Sequence, residues 1–144
     1  MVLNYLKGSS ASIISSVSAY MILTYLFDPH YQSDYFYFFI MYATFIGYVI
    51  GLIAIFIIIR DSNKAVFTRK KVAIFSSIGI ILGIGLEFLT DFSNSPFFFL
   101  AALTGSLMFL VVQKIENHFV AWSIVGVHLL VVFLYPYLPI HFFN

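Results

Sequence analysis

Five long apolar stretches, separated by short segments that are polar or contain helix-breaking residues, make up most of this chain. They cover residues 8–27, 35–59, 72–89, 97–112 and 119–135. A helix that crosses a membrane needs about 20 largely apolar residues, with a range of about 17–25. The pattern therefore predicts an all-α fold, an integral membrane bundle of five transmembrane helices. In a four-span alternative, the short fourth stretch would re-enter the membrane without crossing it.

The segments between the stretches carry residues that end helices. Asp28, Pro29 and His30 follow the first stretch, and proline cannot continue a helix. Residues 90–96 are rich in turn-forming Ser, Asn, Asp and Pro, and Pro136 follows the last stretch. We therefore expect the five helices to be separate rather than fused.

Positive charge is confined to three segments, and this predicts an orientation. Lys and Arg that flank short loops stay on the cytoplasmic side of a membrane. With the N-terminus inside, five crossings put every basic residue on the inner side, and the outer segments hold Asp28, Asp34 and Asp91 without any Lys or Arg. The prediction is N-in and C-out. The seven basic residues are Lys7, Arg60, Lys64, Arg69, Lys70, Lys71 and Lys114.

Composition agrees with a membrane environment. The chain is 62% hydrophobic and 9% charged, with a mean hydropathy of +1.01. Soluble domains carry about 25% charged and about 45–50% apolar residues. We expect one domain over residues 1–144. The 18 Phe and 10 Tyr fit an AT-rich genome, so the expected location is the cytoplasmic membrane of a bacterium.

The first stretch also permits a second interpretation, a cleaved signal peptide. Lys7 would be its basic region, and Val17, Ser18 and Ala19 loosely fit a small-residue cleavage site. However, apolar residues continue as far as Phe27, and serines dilute the stretch before Ala19. A retained helix is the interpretation that we prefer.

Small residues four positions apart predict where the helices pack, because such pairs share one helix face. In lipid, helices associate through close packing at small residues. The glycines of the second and third stretches match in height, so these two helices are expected to cross closely. The pairs are Ser12 with Ser16, Gly47 with Gly51, Gly79 with Gly83, and Ala101 with Gly105.

Two ionisable residues lie within the apolar stretches and are candidates for function. His128 is mid-way along the fifth stretch, where a neutral imidazole hydrogen-bonded to a neighbour is the simpler interpretation. Glu87 lies near the outer end of the third stretch and is expected to reach the headgroup region. If it were buried, it could carry a proton or bind a cation.

The basic segment of residues 60–71 is the third candidate. Its five cations, Arg60, Lys64, Arg69, Lys70 and Lys71, could contact anionic lipid or an acidic protein partner. Its main expected role is to set the orientation of the chain.

Catalytic motifs are not found in the sequence. The chain has no Cys, no H-E-x-x-H and no glycine-rich phosphate loop, and Gly105-Ser106 lacks the second glycine of a nucleophile elbow. Net charge is only +1, which argues against nucleic-acid binding. We therefore expect no enzyme activity, no metal and no cofactor.

The expected function is that of a non-catalytic accessory protein: an immunity-type or regulatory subunit that binds the bilayer and a membrane partner. The alternative is a small oligomeric transporter or channel that uses Glu87 and His128. A transport path normally has a more polar lining than these stretches provide. An intramembrane enzyme acting on lipid is the third possibility.

Overall fold

The chain forms five helices in a computed structural model that describes residues 2–27, 34–60, 68–91 and 96–134. No strand occurs among these residues, so the predicted all-α fold is confirmed. The helices begin earlier than predicted at the N-terminal ends of the first and third. They are α1 (Val2–Phe27), α2 (Asp34–Arg60), α3 (Arg69–Leu89), α4 (Phe97–Val112) and α5 (His118–Leu134).

Three of the helices are long and apolar enough to cross a membrane. These are α1, α2 over Phe39–Arg60, and α3. Helices α4 and α5 are apolar but shorter, with 16 and 17 residues. Large side chains on the outward faces are exposed, among them Phe45 and Phe88, each at 72%. Outward faces of this kind are typical of helices surrounded by lipid.

Local hydrogen bonds explain where the helices begin and end. Thr68 is the N-cap of α3, and its hydroxyl accepts the backbone N–H of Lys71 at 3.1 Å. Asn117 does the same for α5, since its Oδ1 accepts the N–H of Phe119 at 2.9 Å. Asp91 follows α3 with a φ of 51°, a left-handed conformation that Asp tolerates after a helix.

Helix α1 is at the centre of the bundle and packs against α2, α4 and α5, whereas α3 packs against α4. On the α2 side, Gly47 lies against Ile13, and Gly51 lies against the Ser9 hydroxyl. The residue numbers run in opposite directions along the two helices, so α1 and α2 are antiparallel.

The predicted close crossing of α2 and α3 at their glycines is wrong. Gly79 and Gly83 face α4, where a Cβ at either position would lie 2.8 Å from Leu103 Cα or 2.7 Å from Phe99 Cα. Equal height along the membrane normal is compatible with several neighbours. The small-residue face of each helix is instead filled by a different helix.

Helices α1 and α4 meet at a third glycine contact. A Cβ placed on Gly105 would overlap the Ser16 hydroxyl and would lie 2.8 Å from the Ser12 carbonyl oxygen. Small residues therefore form both sides of this crossing, which lets the two backbones approach closely. As a result, α1 and α4 form a central pair, with α2 packed against α1 and α3 packed against α4.

Candidate functional site

A lateral groove with a volume of about 910 Å³ separates α2 from α3. Its walls are α2 and α3, and its floor is formed by α1 and α4. The groove exists because α2 is packed on α1 and α3 on α4. Its lining is mainly apolar and includes Ser12, Ser16, Phe39, Tyr42, Ala43, Ile46, Gly47, Ile50, Phe75, Ile78, Ile81, Leu82, Gly85, Leu86, Leu89, Thr90, Asp91, Phe98, Ala101 and Ala102.

The two ends of the groove differ. At the end near Arg60 and Arg69, Ala54 and Ile55 of α2 and Phe75 of α3 belong to one apolar cluster with residues of α4. At the other end, Leu89 and Asp91 line the groove. From Phe75 to Leu89, α3 rises by about 21 Å. The groove thus extends from this apolar cluster to an end that carries the Asp91 carboxylate.

Gly85 gives the α3 wall an unfilled position. A Cβ placed on Gly85 would meet nothing within 4 Å, in contrast to Gly79 and Gly83 on the same helix. Because Gly85 lines the groove, a side chain at residue 85 would project into its open space without disturbing the helix contacts. Gly126 on α5 is equally open but does not line the groove.

Glu87 is buried within the bundle, with 3% of its surface exposed, so its side chain does not extend outward from α3. Its Oε1 accepts the backbone N–H of Phe99 at 3.0 Å, in the first turn of α4. Pro96, the N-cap residue of α4, makes no side-chain cap hydrogen bond. The carboxylate of α3 therefore caps α4, where the helix dipole also favours negative charge. Glu87 Oε2 is buried without a hydrogen-bond partner.

His128 is 1% exposed and joins α5 to α2. Its Nδ1 lies 3.2 Å from the Tyr48 hydroxyl, and its Nε2 lies 3.4 Å from Thr44 Oγ1. Tyr48 continues the contact to α1, because its hydroxyl lies 3.3 Å from Ser10 Oγ. Three helices are thus linked through one imidazole.

The donors in this network can be assigned by counting hydrogens. Thr44 donates its single hydroxyl hydrogen to the Ile40 carbonyl at 2.7 Å, so it accepts from His128. His128 then carries its hydrogen on Nε2, and Nδ1 accepts from Tyr48. Both ring nitrogens of His128 thus have hydrogen-bond partners within the bundle.

Basic residues gather at one end of the bundle. Lys7, predicted to precede the first helix, lies inside α1 at 3% exposure and donates to the Ile115 carbonyl. Gln113 likewise donates to the Asn4 carbonyl at 3.0 Å. Arg60 ends α2, and Arg69 begins α3, so these two are helical rather than part of a loop.

The five cations of the basic segment do not share one environment. Arg60, Arg69 and Lys70 are exposed, whereas Lys71 is buried, and Lys64 lies outside the described residues. The antiparallel pairing of α1 with α2 and of α3 with α4 sets Arg60 and Arg69 at the same end as Lys7. This end carries the described cations that a partner or a lipid headgroup could contact.

The two ionisable residues predicted from the sequence are both buried in the structure, whereas the groove was not predicted. Glu87 and His128 were singled out, yet the structure joins each to a different helix and shows no contact between them. Gly85 was not singled out, because a glycine that faces open space has the same sequence signature as one that packs.

The described fold defines a class: an all-helical bundle with apolar outward faces, of the kind found in membranes. Comparison with protein-family models, with curated proteins and with solved structures finds no match to this chain.

Proposed function

We propose that this protein is a non-catalytic accessory protein of the bacterial cytoplasmic membrane, with five spans, N-in and C-out. It acts by binding an apolar component of the membrane in the groove between α2 and α3. The groove carries this proposal, since its apolar walls open on the side of the bundle. Its volume of about 910 Å³ falls in the range of about 300–1,000 Å³ usual for ligand sites.

The charge distribution supports the proposed orientation. Lys7, Arg60 and Arg69 gather at one end of the bundle, as the positive-inside rule requires of a cytoplasmic end. The exposed Arg60, Arg69 and Lys70 form a second surface, suited to anionic lipid or to an acidic partner.

The buried polar groups support a binding protein over a transporter. Glu87 caps α4, and both ring nitrogens of His128 are used within the bundle. Each residue has a local role in joining helices, and no specific observation favours a shared ion path.

The test is purification in gentle detergent followed by analysis of what remains bound. A bound apolar component, either lipid or protein, is expected with the unaltered chain and with Gly126→Leu, and is expected to be lost in Gly85→Leu. These two variants are matched, because neither new side chain meets an existing atom within 4 Å at its Cβ.

A liposome assay distinguishes the proposed binding protein from a transporter. Reconstituted protein is expected to show no proton or cation flux above that of empty vesicles. A flux that collapses in Glu87→Gln or His128→Ala would overturn the proposal, as would equal retention of the bound component in Gly85→Leu and Gly126→Leu.

A further inference from the structure

The shape of the groove and the single charge in its lining limit the class of ligand that can bind there. Asp91 is the one charged residue among the described residues that line the groove, and it lies at the outer end. It is exposed, and its φ of 51° ends α3 so that the carboxylate stands at the rim. A ligand seated in the groove therefore meets apolar walls along its length and one negative charge at its end.

An apolar cluster that contains Ala54, Ile55 and Phe75 lies at the inner end of the groove. We therefore expect an extended apolar chain to enter from the side or from the outer end. The groove rises by about 21 Å along α3, whereas one leaflet of a bilayer contributes about half of a hydrocarbon core of about 30 Å. One acyl chain of an outer-leaflet lipid, at about 15 Å, is therefore short enough to lie within the groove.

We infer that the groove binds an outer-leaflet phospholipid with an amine headgroup, with an acyl chain between α2 and α3 and its ammonium at Asp91. This inference rests on the proposed function and names the occupant of the same site. Charge complementarity selects the headgroup. In the proposed orientation, the outer segments contain Asp28, Asp34 and Asp91 but no Lys or Arg, so an anionic headgroup would be repelled.

Part of the floor consists of small residues. Ser12, Ser16 and Ala101 line the groove from α1 and α4, and they leave more space for a chain than Tyr20, Phe98 and Phe109, which line the same floor. Gly85 leaves the α3 wall open over the outer half. A leucine at residue 85 would occupy the space of the acyl chain, whereas a leucine at residue 126 would not.

The experiment is native mass spectrometry of the purified, delipidated protein. Phosphatidylethanolamine and phosphatidylglycerol with identical acyl chains are added at equal concentration. Retention of phosphatidylethanolamine is expected to exceed that of phosphatidylglycerol by about 2- to 5-fold, the ratio expected of one exposed ion pair. Asp91→Asn, which keeps the left-handed conformation accessible, is expected to remove this preference while leaving binding of both lipids.

The groove variants complete the experiment. Gly85→Leu is expected to lose both lipids, and Gly126→Leu to retain them with the headgroup preference of the unaltered chain. Equal retention of the two lipids by the unaltered chain, or unchanged retention in Gly85→Leu, would overturn the inference.

The identity of the component that Gly85→Leu releases distinguishes the proposed function from the lipid inference. If Gly85→Leu releases a protein subunit rather than a lipid, the proposed function stands and the lipid inference fails. If Gly85→Leu releases nothing that Gly126→Leu retains, both fail.

Discussion

Several buried polar side chains join α1 or α3 to α4 or to the segment that follows it. Glu87 accepts from α4, Ser106 donates to the Phe75 carbonyl of α3, and Lys7 donates to the carbonyl of Ile115. In hydrocarbon, an unsatisfied polar group costs several kcal/mol. Such contacts therefore select particular helix pairs among many apolar ones.

Replacing Glu87 tests its role as the cap of α4. Glu87→Ala leaves the Phe99 N–H without its acceptor and is expected to lower the free energy of unfolding by about 1–2 kcal/mol. Glu87→Gln keeps a carbonyl oxygen at Oε1 and is expected to lose less. Unfolding in mixed micelles, followed by circular dichroism, measures both. Equal losses in the two variants would contradict a capping role.

A double-mutant cycle tests the link between α2 and α5. Tyr48→Phe and His128→Ala each break the 3.2 Å contact between the hydroxyl and Nδ1. Their effects on the free energy of unfolding are expected to be non-additive by about 0.6 kcal/mol, the average for hydrogen bonds between membrane helices. Additive effects would show that the two side chains act independently.

The sequence allowed the buried polar residues to be predicted, but not the side chains and backbone groups that they contact. His128 was recognisable because an ionisable side chain within an apolar stretch is costly. The partner of Glu87 was not, because the acceptor role depends on the crossing of α3 and α4 that brings the Phe99 N–H to it. Helix periodicity carries no information on that crossing.

Glycines determine which helices touch, and the two kinds of glycine on α3 show how. Gly79 is buried against the α4 backbone, whereas Gly85 faces open space. Both are helical, so both gain in helix propensity when a side chain is added. Only their surroundings differ.

Alanine at these two positions is the matched test. At Gly79 the new Cβ lies 2.8 Å from Leu103 Cα, a backbone atom that cannot rotate away. Gly79→Ala is expected to destabilise the protein by about 1–3 kcal/mol through overpacking. Gly85→Ala is expected to be neutral or to stabilise by up to about 1 kcal/mol. Thermal unfolding in detergent measures the difference, and similar shifts in the two variants would contradict the α3–α4 contact.

Helix existence was predictable from sequence, and helix pairing was not. Apolar stretches of the right length gave the five elements, with helix ends that differ mainly at α1 and α3. The prediction that α2 meets α3 failed because, in lipid, no hydrophobic force distinguishes one apolar face from another. Side-chain fit decides the pairing, as at Gly47 and Ile13.

For the whole molecule, the proposed topology makes Asn144 an outer residue. A reporter active only outside the cytoplasm, such as alkaline phosphatase, is expected to be active when fused after Asn144. The same reporter fused after Arg60 is expected to be inactive, because five spans with an inner N-terminus put that residue inside. An inactive fusion at Asn144 would contradict five crossings and favour the four-span alternative.

Helix α2 packs on α1, and α3 packs on α4, which leaves the groove between α2 and α3. Cysteine cross-linking tests it directly, because the chain has no cysteine of its own. A Cβ on Gly47 would lie 3.9 Å from Ile13 Cβ, within the usual disulfide range of about 3.5–4.5 Å. Ile46 and Leu82 line the groove from its two walls.

Mild oxidation in membranes is therefore the decisive measurement. Ile13→Cys/Gly47→Cys is expected to form an intramolecular disulfide, and Ile46→Cys/Leu82→Cys is expected to remain reduced. A disulfide across Ile46→Cys/Leu82→Cys, with none in Ile13→Cys/Gly47→Cys, would show that α2 packs on α3 and that the groove does not exist.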